Sequence, residues 1–446
     1  MLFLRSEPRG SPIPGPRGHR LLGSLLEIRR NRLAFVRRAL ARYGDLVEFR
    51  MGPRRLLLVS RPSICKHVLA DNAANYRKGL GLEEAKPLLG QGLLTSEGSR
   101  WQSQRRCLQP ALGPPKLEEM SRALAPHAQA MLKRWEIRCR EGGTVEMVSE
   151  MTRLTISLLG SVLFHYDLRA PADALARDLT ETARWAMDRM TALVQLPMAL
   201  PTPANLRVKR ALRRLDRQAQ GIIDHCRNQA GGLIPLLDRQ SSGCPHAGRQ
   251  LRDEVLTMLL AGQETTAATV AWTFYLLSRH PQVQAEVRRE IETVLGERTP
   301  TVADVPKLSL SLQVIHEVLR LFPPVWIISR KALQDDRIEG HRISAGTDVL
   351  ISTYGLQRNP RYWPQPDQFK PRRFACGTSS AAPWTYIPFG GGPRSCVGSR
   401  FGLTEALLVV VTVLRKFSLE LVSAPDPLEE PLLTLRPRQP LLMKAV

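Results

Sequence analysis

Cysteine pairing is the first thing this chain lacks. Its seven cysteines (Cys65, Cys107, Cys139, Cys226, Cys244, Cys376 and Cys396) are odd in number, scattered and never spaced C-x-x-C. That pattern argues against a disulfide framework or a zinc site and fits a reducing compartment, the cytoplasm. A long apolar start is missing as well. Only Met1 to Leu4 precede Arg5, too short for a signal-peptide core or a membrane span, so no transmembrane anchor is expected. There is no internal repeat. The one low-complexity patch is the polar loop Gln240–Gly248, where Cys244-Pro245-His246 reads as a surface turn. No Gly-rich dinucleotide fingerprint or flavin-binding extension follows the last long helical run, so a fused reductase domain is not expected. Negative charge is in deficit too: Lys+Arg number 64 against 41 Asp+Glu, a net charge of +23. Such a balance suits nucleic acid, anionic lipid or an acidic protein. The arginines are dispersed and no nucleic-acid motif accompanies them, so nucleic acid is set aside and an acidic protein partner is favoured.

What is present is mostly helix. A 3.6-residue apolar period runs through Leu33–Tyr43, Met120–Cys139, Met151–Phe164, Leu175–Met190, Val208–Arg227, Asp253–Leu277, Val283–Leu295 and Ser399–Arg415, with breaks at Pro and Gly clusters. Strand-like runs are few: Leu46–Met51 with Leu56–Ser60 as a hairpin, and Ile343–Ile351 around Ala345-Gly346. The expected fold class is mainly α with small β-sheets. The 446 residues allow two or three domains on length alone.

The most informative stretch is Phe389-Gly-Gly-Gly-Pro-Arg394-Ser-Cys396-Val-Gly398. Consecutive glycines let a backbone approach a flat ligand closely, and Pro393 stiffens the loop. Cys396 stands just before a helix, whose first amides favour an anionic sulfur, the form that ligates metal. The residues by themselves leave another reading open, since a lone cysteine is more often a small buried hydrophobe and a Gly-rich loop before a helix more often binds phosphate or nothing.

Three further groupings stand out. Ala261-Gly262-Gln263-Glu264-Thr265-Thr266 is a polar gap inside a long apolar helix: its small residues make room for a ligand, and Thr265 can bond back to a helical carbonyl or admit water. An exposed face explains the gap equally well. Glu317 and Arg320 lie three apart on one helical face among apolar neighbours, where burial would demand a third partner. Trp101 and Arg105, one turn apart, can present an indole N–H and a guanidinium to a carboxylate.

The order of Phe389, Gly392, Arg394, Cys396 and Gly398 resembles the haem-binding loop of the cytochrome P-450 family, the haem-thiolate monooxygenases, and more closely their soluble bacterial members. The other groupings follow in the family's order, from Trp101 to Gly398, over about two thirds of the chain. The resemblance implies one domain over residues 21–446, behind a Pro/Gly-rich lead at 1–20, with haem b between the long central helix and the helix after Cys396. It makes Cys396 the axial ligand of the iron, whose thiolate favours O–O cleavage. Trp101, Arg105, Arg330 and Arg394 become propionate contacts, and Phe389, Gly392 and Gly398 shape the loop. Glu264 and Thr265 become the acid and alcohol that organise water for proton delivery. Glu317, Arg320 and Arg373 become a structural ion network, although Arg372 stands where relatives commonly carry Glu. The pocket implied by Tyr76–Glu97, Ala183–Leu206, Ala261 and Val325, Trp326 and Ile327 is rich in apolar residues, pointing to an apolar small molecule. The implied reaction is insertion of one atom of O2, most simply hydroxylation, with electrons from a ferredoxin or flavodoxin and its reductase; a peroxide-driven or oxidative-coupling enzyme is the alternative.

Overall fold

The computed structural model describes residues 12–192, 196–227, 232–241, 247–376, 382–422 and 426–446. Residues 1–11 of the lead segment and Cys244–His246 lie outside the described residues.

One helix organises the rest. Ala247–Arg279 runs 33 residues, about 50 Å, through the middle of the molecule. Leu, Val and Ala on most of its sides allow burial all round, and the helices Met147–Leu159, Pro203–Cys226, Ser309–Leu321 and Ser399–Lys416 pack against it. Trp272 stacks on Phe322 at 4.0 Å, fixing the Ser309–Leu321 end to it. Met147–Phe164 is apolar and long enough to cross a membrane by composition, but 72% of that window is buried inside this helical core. Helices begin earlier than their apolar period: at Pro114 and Ala247 rather than Met120 and Asp253. Their first turns are polar, or proline-led, and carry no periodic signal.

The five-stranded sheet runs, from edge to edge, Leu46–Met51, Arg54–Val59, Asp348–Ile351, Ile328–Ala332 and Tyr76–Lys78. The hairpin forms as expected. Residues Leu56 to Val59 are all buried, because this strand is covered on both faces. The expected strand Ile343–Ile351 is instead two: His341–Ile343 pairs with Asp336–Ile338 in a separate ribbon, and Asp348–Ile351 enters the large sheet. Gly346, at φ +83°, makes the turn between them. The lead segment lies along the first hairpin, where Pro14 O accepts the Glu48 N–H at 2.9 Å.

Candidate functional site

The loop 389–398 is held by its own backbone and by its neighbours. The Cys396 N–H donates to Phe389 O at 2.8 Å, which folds the glycines back over the sulfur's residue. Gly392 has φ +66°, and a Cβ there would stand 1.9 Å from Leu69 O, so no other residue fits. Gly398 is the N-cap of the helix Ser399–Lys416. Cys396 is exposed. Surrounding protein still raises its thiol pKa, against the lowering effects of the Gly398 amide and Arg105. The helix terminus is therefore not enough to hold a thiolate; a cation at the sulfur would supply the rest.

Trp101 and Arg105 share a face of the helix Gly98–Leu108. Both Arg105 and Arg394 lie against the Trp101 ring, at 5.9 and 5.1 Å from its centre. Arg105 donates to Ser395 O at 2.6 Å, tying this helix to the cysteine loop. Arg394 makes a two-pronged pair with Glu97. Arg330 reaches the same place from the sheet, only 8% exposed. Opposite it in register stands Lys78, also 8% exposed, whose amine donates to Leu93 O and Ser96 O at 2.7 and 2.8 Å. Burial drives Lys78 down to about 7 and Arg330 down to about 10, with Arg394 adding repulsion at each. Burial opposes ionisation of Glu97 too, but Arg394 and the Lys78 amide outweigh it and hold its carboxyl below the usual range.

Lys78 and Glu97 escaped sequence reasoning. A lysine in an arginine-rich chain carries no contrast, and only the strand pairing puts it inside. With them the charge count becomes informative: Lys78, Arg330 and Arg394 gather about Glu97, and Glu254 acts on Lys78 as well. Buried positive charge in excess is costly without an anion. A guest bearing carboxylates fits, and haem, with two propionates, is such a guest.

The central helix supplies the other wall. Ala261 is exposed midway along this helix, next to half-buried Gly262 and between long buried stretches. Thr265 is half-buried and its hydroxyl donates to Ala261 O at 2.7 Å. Glu264 faces away, into a crevice of about 990 Å³ walled by Arg177, Arg210, Arg214 and Arg436. Its carboxyl oxygens make no hydrogen bond of good geometry among the described residues. The Arg436 guanidinium stands 4.0 Å away, held on its other side by Glu430 at 2.9 Å. Burial raises the Glu264 pKa, and Thr434 and Arg436 pull against it. Arg436, distant in sequence and in no motif, was not foreseeable.

Glu317 and Arg320 lie elsewhere, both fully buried. Arg320 grips Glu317 with two bonds, at 2.7 and 2.8 Å, and donates to Gln357 O, Pro366 O and Gln368 O. Glu317 also accepts from Lys370 N at 2.8 Å and Arg373 Nε at 3.3 Å. Arg372 points outward to Glu286 at 2.7 Å, so its departure from the usual residue does not disturb the network. Of the apolar candidates, Val325 is 37% exposed and Ile327 half-buried. Trp326 instead belongs to the core, its indole N–H donating to Leu432 O at 2.9 Å.

The family model for Cytochrome P450 matches residues 13–445. The chain belongs to the cytochrome P450 family. Among curated proteins this P450 is 35% identical over 412 residues to cyclooctatin synthase of Streptomyces melanosporofaciens, covering 89% of this chain and 88% of that one. It is 34% identical to cyclooctat-9-en-7-ol 5-monooxygenase of the same organism, covering 90% and 87%. To carotene epsilon-monooxygenase, chloroplastic, of Arabidopsis thaliana it is 28% identical, covering 85% and 75%. It is a P450 monooxygenase with a haem-thiolate cofactor.

Proposed function

We propose that this P450 hydroxylates an apolar, largely hydrocarbon terpenoid in the cytoplasm, using O2 and electrons from a separate ferredoxin or flavodoxin with its reductase. The observation that carries this reading is the pairing of two elements: a cysteine loop beside buried cations that outnumber the carboxylate they share, and a helix whose middle is opened by Ala261 and Gly262. Haem b is the cofactor, with Cys396 as ligand and Trp101, Arg105, Arg330, Arg394 and Lys78 around its carboxylates. When bound, it supplies an iron centre that activates dioxygen. Residues 21–446 act as one catalytic domain.

The protein's own residues do the rest. Lys78, Arg330 and Arg394 fix the cofactor's orientation by charge, while Phe389 and the glycine backbone limit water near the sulfur. Thr265 presents a hydroxyl whose hydrogen is already engaged at Ala261 O, leaving its oxygen to accept from a water in the cleft. Glu264, raised by burial and bordering the crevice, holds a proton that it can exchange with water there. Arg436 limits how far that carboxyl moves. The apolar substrate is supported by the compounds in the relatives' names, an alkene alcohol and carotene, and by Val325, Ile327 and Ala261 at the cleft.

The test is to titrate terpenoid hydrocarbons and alcohols into the holoenzyme and follow the haem absorption for displacement of water. Binders are then incubated with reductase, ferredoxin and O2. A product heavier by one oxygen is expected. Product formed with peroxide alone, and none with the reductase system, would transfer the protein to the peroxide-driven class.

A further inference from the structure

The segment 79–97, between the strand Tyr76–Lys78 and the helix Gly98–Leu108, has little secondary structure of its own: a four-residue helix, Lys86–Leu89, and turns. It is nevertheless packed inside, with Leu88, Leu89 and Leu93 buried. A buried backbone must find partners for its amides. Those of Leu88, Leu89, Gly90, Gly92, Thr95 and Ser96 bond within the segment. Those of Gln91 and Leu93 do not. They donate to Asp253 Oδ2 at 2.7 Å and Glu254 Oε2 at 3.1 Å, consecutive acids of the central helix that are 2% and 0% exposed.

Two glycines let the segment come so close. A Cβ at Gly90, where φ is +52°, would stand 2.0 Å from Asp253 Oδ2, and one at Gly92 would stand 2.1 Å from Thr257 Oγ1. Arg252 adds to the hold, donating to Leu88 O at 2.7 Å and Asp253 Oδ1 at 2.9 Å. Burial raises Glu254 to about 7, and the Leu93 amide pulls it back. A carboxyl oxygen accepts an N–H in either protonation state, so the hold does not depend on which form is present. The same two residues are gripped by their carbonyls from the other side. Lys78 takes Leu93 O, and Gln104, on the helix of Trp101 and Arg105, donates to Gln91 O at 2.7 Å. The Lys78 amide in turn donates to Glu97 Oε1 at 2.6 Å, and Glu97 is the partner of Arg394.

We propose that Asp253 and Glu254 are positioning residues for the cofactor: by fixing the Gln91 and Leu93 amides they set where Lys78 and Glu97 stand beside Arg330 and Arg394, so that the second turn of the central helix governs how tightly haem is retained. Both acids act through the segment 79–97. The inference rests on the reading that Lys78, Arg330 and Arg394 meet the carboxylates of the haem.

The experiment measures two things on the holoenzyme: the rate of haem transfer to excess apomyoglobin, and backbone amide hydrogen exchange. In Asp253→Ala and in Glu254→Ala, haem should leave roughly tenfold faster than from the parent, the order of one lost hydrogen bond to a charged group. Exchange should quicken in peptides covering 86–97 and stay parent-like in the helix Ser399–Lys416. Asp253→Asn and Glu254→Gln, which keep an acceptor for the amide, should restore both readouts. Gly92→Ala leaves both acids in place but pushes the segment off Thr257; it should lose haem in the same way, and it decides the matter should the alanine variants not fold. Parent-like haem retention beside quickened exchange in 86–97 overturns the proposal. So does exchange quickened equally along the whole chain, the mark of a general loss of stability, or a Gly92→Ala protein that keeps haem as the parent does. Failure of the carboxylate reading looks different: Arg330→Gln would then retain haem as tightly as the parent.

Discussion

At the scale of single residues, the site divides into groups that bind and groups that handle protons. On the proposed function Thr265 is of the second kind. A Thr265→Ala variant should retain haem and consume reductant in the presence of a true substrate, yet divert electrons to hydrogen peroxide and lower product per reductant several-fold, as removal of a proton-handling group does. Product and peroxide quantified together check this, and parent-like coupling would make Thr265 a packing residue. Single residues were also the most legible from sequence where chemistry restricts the choice. Gly392 can be nothing else beside Leu69 O, and Cys396 is the one thiol before a helix in a glycine loop. Lys78, Glu97 and Arg436 were not legible, because each takes its meaning from a partner far along the chain.

At the scale of elements, the Ser309–Leu321 helix connects the central helix to the segment 357–374. Glu317→Ala would leave Arg320 buried without its carboxylate and free the Lys370 amide, a loss of about 3–5 kcal/mol. Poorly folded, haem-deficient protein is expected; a normal melting temperature would show the pair to be dispensable. The same helix sets an acid limit. His316, bonded at Nδ1 to the Tyr386 hydroxyl at 2.9 Å, is lowered by burial to about 4. A depressed histidine stabilises the fold above its unfolded pKa of about 6.5, and that stabilisation is lost as pH falls through 4. The parent's melting temperature should therefore drop between those values, and less steeply in His316→Gln; equal slopes would assign the drop to other groups. Helix positions followed from apolar period alone, whereas the split of 343–351 between two sheets did not, since a strand's run of residues does not name its neighbour.

At the scale of the whole molecule, charge sets the encounter with a redox partner. Arg106 and Arg400 are both exposed, on the helices Gly98–Leu108 and Ser399–Lys416, and Arg105 ties the first of these to the cysteine loop that leads into the second. Reduction by an acidic ferredoxin should slow as salt rises toward 0.5 M, since screening shortens the reach of surface charge, and Arg400→Glu should slow it further. A rate independent of both would place docking elsewhere. Arg105 and Arg394, close by in the chain, are engaged with Ser395 O and Glu97.

The crowding of Lys78, Arg330 and Arg394 about Glu97 also bears on how the protein is made. Without a bound anion these three cations repel one another across the junction of sheet, cysteine loop and the stretch 79–97, so this junction is expected to be the last part of the protein to become stable. Limited proteolysis of protein expressed under haem starvation should then cut first within 79–97, and added haem should protect those bonds; cleavage first within the central helix would mean that the core itself waits for the cofactor.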